Sequence, residues 1–179
     1  MTDLQRLESL VLQGADGHPH RLGGYWEDRP VVLVFLRHFG CLLCRENASL
    51  LRERYQDIKD RGGEVVAVGT GDERYAKAFV REDQVPFPVL VDDDAAAANA
   101  AAVKTIPFLQ LLFDPRAWPG GWRARRAGFR IHRSGQRVTQ LGATYVIGPG
   151  SVMHYAHVDT HSADHAPIDE VLAALLQPR

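Results

Sequence analysis

The chain has 179 residues, is 45% hydrophobic and carries a formal net charge of -1. A domain of that length buries roughly 70% of the surface its unfolded form exposes, so it needs neither a disulfide framework nor a structural metal to fold, and it is read as one domain over 1–179. The charge balance argues against a nucleic-acid binder with a global basic field, though it leaves room for a local patch, and no apolar run approaches the ~20 residues of a spanning helix, which sets the membrane aside.

In chain order, Leu4–Val11 is short and weakly patterned, and Met1–Gln13 holds no apolar core of signal-peptide length, which predicts a cytoplasmic protein. Gly14-Ala15-Asp16-Gly17 is turn chemistry, and His20, Arg21 and Leu22 with Gly23-Gly24 suit a small hairpin. Val31–Leu36 (VVLVFL) is a continuous apolar, β-branched run, as in a strand buried on both faces. After Arg37-His38-Phe39-Gly40-Cys41-Leu42-Leu43-Cys44, the stretch Arg45–Arg61 has helical spacing and Gly62-Gly63 ends it. Glu64–Val68 is a second buried strand, Asp72 a cap, Tyr75–Arg81 a helix and Val89–Val91 a third strand. Asp92–Ala102, acids followed by alanines, predicts a helix. The order is βαβαβ, with parallel strands and helices between them.

Lys104–Leu141 reads as an inserted segment with helical pieces, dense in arginine. Its Arg116, Arg123, Arg125, Arg126, Arg130, Arg133 and Arg137 cluster with Trp118 and Trp122, a combination that can bind nucleic acid or an anionic partner; the leading reading is a wet face, with the tryptophans packing the segment onto the domain. Thr144–Ile147 and Val152–Val158 form a hairpin around Gly148–Ser151, and Ile168–Gln177 closes the chain as a helix started by Pro167.

The only two cysteines are Cys41 and Cys44, three positions apart at the hand-over from a buried strand to a helix. Unpaired N–H groups and the dipole at a helix N-terminus favour an anion. They can lower a cysteine pKa from about 8.5 into the range ~3.5–7.5. Arg37, His38 and Arg45 add positive charge and proton-handling capacity nearby. The spacing lets the two Cα atoms approach the roughly 5–6 Å that a disulfide needs. The first cysteine stands at the helix start, where the N–H groups and the dipole act most strongly, so Cys41 is the expected nucleophile and Cys44 the resolving thiol.

The segment DRPVVLVFLRHFGCLLCRE (28–46) resembles the peroxiredoxin-like branch of the alkyl hydroperoxide reductase/thiol-specific antioxidant family. EVVAVGTGDERYAKAF, PFPVLVDDD, QLGATYVIGPGSVMHYAH and ADHAPIDEVLAAL resemble its later strands and final helix. The resemblance implies an α/β, thioredoxin-like fold with a peroxiredoxin-type N-terminal extension and the arginine-rich segment at about 104–141 inserted before the late β-hairpin. Three positions depart from the family's Pro-x-x-x-Thr-x-x-Cys loop and its late arginine. Arg37 stands at the proline, Cys41 at the threonine, and Gly142 just before the strand that an arginine precedes in the family. That alignment makes Cys44 the attacking thiol, so the two assignments stand against each other.

His154, His157, His161 and His165 cluster with Asp159 and Asp164, but His154 and His157 are an odd number apart on a predicted strand and face opposite sides. No metal and no cofactor is expected, and Asp164-His165 is read as ordering the turn before the last helix; Ile106-Pro107-Phe108 is read as structural. The leading function is a dithiol oxidoreductase that reduces a small peroxide or disulfide and is recycled by a thioredoxin- or glutathione-type thiol; a homodimer is compatible with it. The alternatives are a disulfide reductase without peroxidase activity and a non-catalytic redox-sensing or binding module.

Overall fold

Residues 2–132 and 137–176 are described by a computed structural model. The chain starts with α1 (Leu4–Ser9), capped by Asp3, whose carboxylate accepts the Arg6 N–H at 3.0 Å. A hairpin of β1 (Val11–Gly14) and β2 (Pro19–Arg21) follows, closed by Asp16 and by Gly17 at φ +87°. The turn is therefore at 14–18, and Gly23-Gly24 lies in a 3-10 turn after the hairpin rather than closing it.

β3 (Val31–Phe35) is buried along its whole length. Its alternate residues serve two cores: Val32 and Val34 pack with α2 (Leu42–Glu53) and with the cysteines, while Val31, Leu33 and Phe35 pack on the opposite face. The helix predicted over 45–61 starts three residues earlier and breaks at Arg54 (φ -100°, ψ 9°), giving α2 and then α3 (Tyr55–Asp60). β4 (Glu64–Gly69) runs parallel to β3, and β5 (Val89–Val91) parallel to β4, with α4 (Glu73–Glu82) between them. Asp72 caps α4 by accepting the N–H groups of Arg74 and Tyr75 at 2.9 and 3.2 Å.

The expected helix over 92–102 shortens to α5 (Ala96–Ala100). Asp92 is not part of it. Its buried carboxylate reaches forward to accept the N–H groups of Ala97 and Ala98 at 3.0 and 2.8 Å, so this acid serves the helix as a cap.

The arginine-rich segment holds α6 (Phe108–Phe113), a 3-10 turn over Pro115–Ala117, and α7 (Trp118–Arg126). Arg133 lies outside the described residues. Here one expectation is corrected: Trp118 and Trp122 do not pack the segment onto the domain but point outward, more than half exposed. The inner face of α7 is made of Gly120 and Ala124, and a Cβ at Gly120 would meet that of Ala163 at 2.7 Å. Small residues let the helix approach closely, which leaves its large side chains on the far side.

β6 (Ala143–Gly148) runs antiparallel to β3, and β7 (Val152–Val158) antiparallel to β6. α8 (Ile168–Ala174) buries Val171 and Leu172 on the thiol side; Gln177 lies outside the described residues. The sheet order is β2-β1-β5-β4-β3-β6-β7, which puts β3 near the centre with β4 and β6 on either side. The end of a central strand is where an α/β sheet presents its site.

Candidate active site

β3 ends at Phe35, and Leu36 continues it by donating its N–H to the Val68 carbonyl at 2.7 Å. Arg37–Gly40 then turns the chain into α2. Phe39 anchors this turn: it is buried, sits 5.7 Å from the Phe79 ring, and lies so close to Gly69 that a Cβ there would meet it at 2.6 Å. The Thr70 hydroxyl lies 2.8 Å from both the Arg37 and the Arg137 carbonyl oxygens and ties the turn to the late loop.

Cys41 is the N-cap residue of α2, with extended backbone (φ -75°, ψ 123°). Its sulfur accepts the Cys44 N–H at 3.4 Å, and the Cys44 sulfur accepts the Arg37 N–H at 3.3 Å. Both cysteines are buried, close together and in the dithiol form. The Cys44 side chain, as a hydrogen-bond partner, holds the Cys41 pKa well below the ordinary thiol value; the charges of Arg37 and His38 and the Cys44 N–H add to this against the cost of burial. Cys44 moves the opposite way, pushed up by burial and by Cys41 beside it. The geometry thus separates the pair into an acidic and a reluctant thiol.

Arg37 is buried, and among the described residues its guanidinium makes no ion pair; its Nε is unpartnered and its Nη2 donates to the Val138 carbonyl at 3.4 Å. A buried cation without a carboxylate is costly, and the Arg37 charge favours the anionic form of Cys41. His38 is also buried; desolvation lowers its pKa, against the charge of Cys41, and its Nδ1 has no partner. Arg45 turns elsewhere. Its Nε donates to the Phe39 carbonyl at 3.2 Å, and its Nη atoms lie 3.1 Å from Glu82 and from Asp83. It braces the turn that carries the cysteines, and its guanidinium is already satisfied.

Two features were not singled out for the site from sequence. Glu46, two residues after Cys44, is buried and holds Arg123 of α7 by two hydrogen bonds of 2.8 and 2.9 Å. His165 comes in from the turn before α8. Burial opposes its charged form, but the Asp159 carboxylate 3.6 Å away, helped by the charges of Cys41 and Glu46, raises its pKa. Its Nε2 is buried without a partner. Asp159 itself is buried, and a Cβ on Gly142 would run into its carboxylate and meet the Phe35 carbonyl at 2.9 Å, so only glycine fits there. A cavity of about 300 Å³ opens beside His165, lined also by Glu46, Asn47, Leu50, Thr144 and Arg123.

Of the other histidines, His157 joins the same cluster, 3.2 Å from Asp164 and 3.7 Å from Asp159, while His154 lies against Gly148. Among the described residues no group of three or more His, Cys, Asp and Glu is arranged to hold a metal ion.

Removing the Arg37 charge has a signed consequence. A thiol with a lowered pKa is anionic down to that pKa, and its alkylation rate falls as pH drops through it. Arg37→Met moves this midpoint upward. At pH values below both midpoints, alkylation of Cys41 should slow about tenfold for each pKa unit gained, with the rate at high pH unchanged. Iodoacetamide rates across pH check this; an unshifted profile would mean that Arg37 does not act on the thiolate.

A thioredoxin-like sheet with two close, electrostatically unequal thiols at a helix N-cap defines a thiol oxidoreductase. The comparisons agree. The model of the AhpC/TSA family matches residues 5–155, and the chain belongs to that family. It is similar to Thioredoxin-like protein AAED1, chloroplastic, of Arabidopsis thaliana, at 29% identity over 94% of this chain and 71% of that protein. It is also similar to Peroxiredoxin-like 2C of Bos taurus, at 24% identity over 91% and 75% of the two chains. In fold it matches the crystal structure of peroxidoxin BcpB from Mycobacterium tuberculosis, with a TM-score of 0.69 at 20% identity, covering 93% of this chain and 90% of that one.

Proposed function

We propose that the protein is a dithiol peroxidase or disulfide reductase in which Cys41 attacks and Cys44 resolves. The observation that carries this reading is the Cys41 sulfur at the α2 N-cap, accepting the Cys44 N–H beside the unpaired Arg37 cation. In the peroxide reaction the Cys41 thiolate attacks the terminal oxygen, the O–O bond breaks, and the alkoxide leaves as an alcohol after taking a proton. Cys41 becomes a sulfenic acid. The Cys44 sulfur then attacks it, an S–S bond forms and water leaves. An external thioredoxin- or glutathione-type thiol returns the dithiol, being oxidised in turn.

Arg37 serves as the electrostatic partner of the thiolate, with His38 beside it. Arg45 is a positioning residue that holds the Phe39 carbonyl and with it the turn. His165, held 3.6 Å from Asp159, is a further neighbour whose charged form the Cys41 charge favours.

One observation favours the disulfide-reducing branch. Gly142 stands where the family carries an arginine, and the buried Asp159 carboxylate fills the space beside it. A carboxylate there gives no cation to polarise a peroxide. The deciding experiment measures turnover of an alkyl hydroperoxide and of a model disulfide side by side, with one thiol donor. The reading expects the disulfide to turn over faster. Turnover of neither, with both thiols accessible and reduced, would leave a non-catalytic redox module as the function.

A further inference from the structure

The arginine-rich segment presents a surface that the thiol chemistry leaves unused. Ten large apolar side chains are exposed among the described residues, and six of them fall between 108 and 131. They are Phe108, Leu109, Phe113, Trp118, Trp122 and Ile131, each more than half exposed. Trp118 and Trp122 are four residues apart and share one face of α7, opposite Gly120 and Ala124. Arg126, four further on, sets its guanidinium over the Trp122 ring at 5.4 Å.

The charge of the same stretch is one-sided. Between 104 and 132 stand six basic residues and a single acid, Asp114, on a chain whose net charge is -1. Arg116 holds Asp114, and Arg123 holds Glu46. Among the described residues Lys104, Arg125, Arg126 and Arg130 make no ion pair, so their charge is available.

We propose that this segment, through the tryptophan face of α7, docks peripherally on an anionic lipid surface. Exposed tryptophan, phenylalanine and aliphatic side chains interleaved with unpaired arginines match the water–lipid boundary: the apolar groups enter the acyl border and the guanidinium groups meet lipid phosphates. The pattern fits other occupants less well. A two-fold pairing with a second copy brings the unpaired arginines against their own kind. A nucleic acid engages arginine and tryptophan but leaves Leu109, Phe113 and Ile131 in water. No helix among the described residues is long and apolar enough to cross a membrane, so the contact is interfacial. It also reverses the expectation that the membrane is no partner, which considered spanning segments alone. Because Gly120 lies against Leu43 and Arg123 clamps Glu46, docking through the outer face of α7 sets the start of α2 about 10 Å, one helix diameter, from the lipid boundary. The docking is a property of the folded protein and does not depend on which thiol reaction it performs.

Flotation of the reduced full chain with vesicles tests this, comparing phosphatidylcholine alone with phosphatidylcholine carrying phosphatidylglycerol. Binding is expected to the anionic vesicles only, weakened by salt, with a blue shift of tryptophan emission; Trp26 is already buried, so the shift reports Trp118 and Trp122. The double variant Arg125→Gln, Arg126→Gln should lose about fivefold in partition per arginine removed. Trp118→Ser with Trp122→Ser should weaken flotation with the anionic vesicles while thiol alkylation keeps its rate, which also reports that the fold is intact. Absence of binding to anionic vesicles at low salt overturns the proposal, as does undiminished binding of the tryptophan variant. Tight binding of a single-stranded oligonucleotide, or a dimer dissolved by the tryptophan variant, in place of vesicle binding overturns it as well.

Discussion

Cys41→Ser should abolish turnover, lowering the rate by at least about a thousandfold, because it removes the only thiol whose environment favours the anion. Cys44→Ser should act differently. Cys44 is held up by burial and by its neighbour, and its sulfur already accepts the Arg37 N–H, so it is suited to the second step. Its removal should leave the first attack intact and trap Cys41 as a sulfenic acid or a mixed disulfide, visible by dimedone labelling and intact mass. The single mutants also settle the direction that family alignment and helix position dispute. A Cys44 that alkylates faster than Cys41 near neutral pH would reverse the assignment, and the trapped species would then appear in Cys41→Ser.

The second large effect is on stability. Phe39→Ala should cost about 3–5 kcal/mol, as for a fully buried aromatic removed from a packed core. For a chain of this size that corresponds to a melting temperature lower by about 6–20 °C. Phe39 fills the space that Gly69 leaves open and packs on Phe79, while its carbonyl is gripped by Arg45. The substitution should therefore loosen the cysteine turn as well as the core. Thermal melts measure the first effect, and the alkylation profile of Cys41 the second: its pKa should rise toward the ordinary thiol value as the N-cap geometry relaxes. A melting temperature within a degree or so of the parent would mean that the turn is held by other contacts.

The parts of the fold visible in sequence are those in which local pattern and burial agree. Val31–Phe35 reads as a strand buried on both faces because every residue is apolar and β-branched or large, and Asp72 reads as a cap because its side chain serves the next turn. The cysteine pair was legible for the same reason: the helix N-terminus is a local feature, and Cys41 occupies its cap. What stayed hidden depends on distant partners. Arg45 reads as a charge beside the thiols, but Glu82 and Asp83, nearly forty residues on, draw its guanidinium away. His165 reads as a turn residue near Asp159 in sequence, but nothing near it reveals that this pair comes in beside the thiol turn. The outward tryptophans reverse a sound prior, that large aromatics pack inward. What decides the matter is the closeness of Gly120 to Ala163 and Leu43, and a single segment's periodicity cannot show it. The helix break at Arg54 carries neither glycine nor proline, so no local signal marks it.

The pairing of β3 with β6 has a bearing on how the protein comes into being. Val31 to Phe35 lie opposite Ile147 to Ala143, so one wall of the strand that delivers Cys41 is contributed by residues more than a hundred positions downstream. Loops of that length close late, since their entropy must be offset before the contacts form. At ribosomal rates of ~5–20 residues per second, the cysteines emerge on the order of 5–20 s before Ile147 is made. Throughout that interval the nascent chain carries two thiols that lack their finished strand and shielding core. During synthesis the pair is therefore open to oxidants and to other thiols before the finished core shields it.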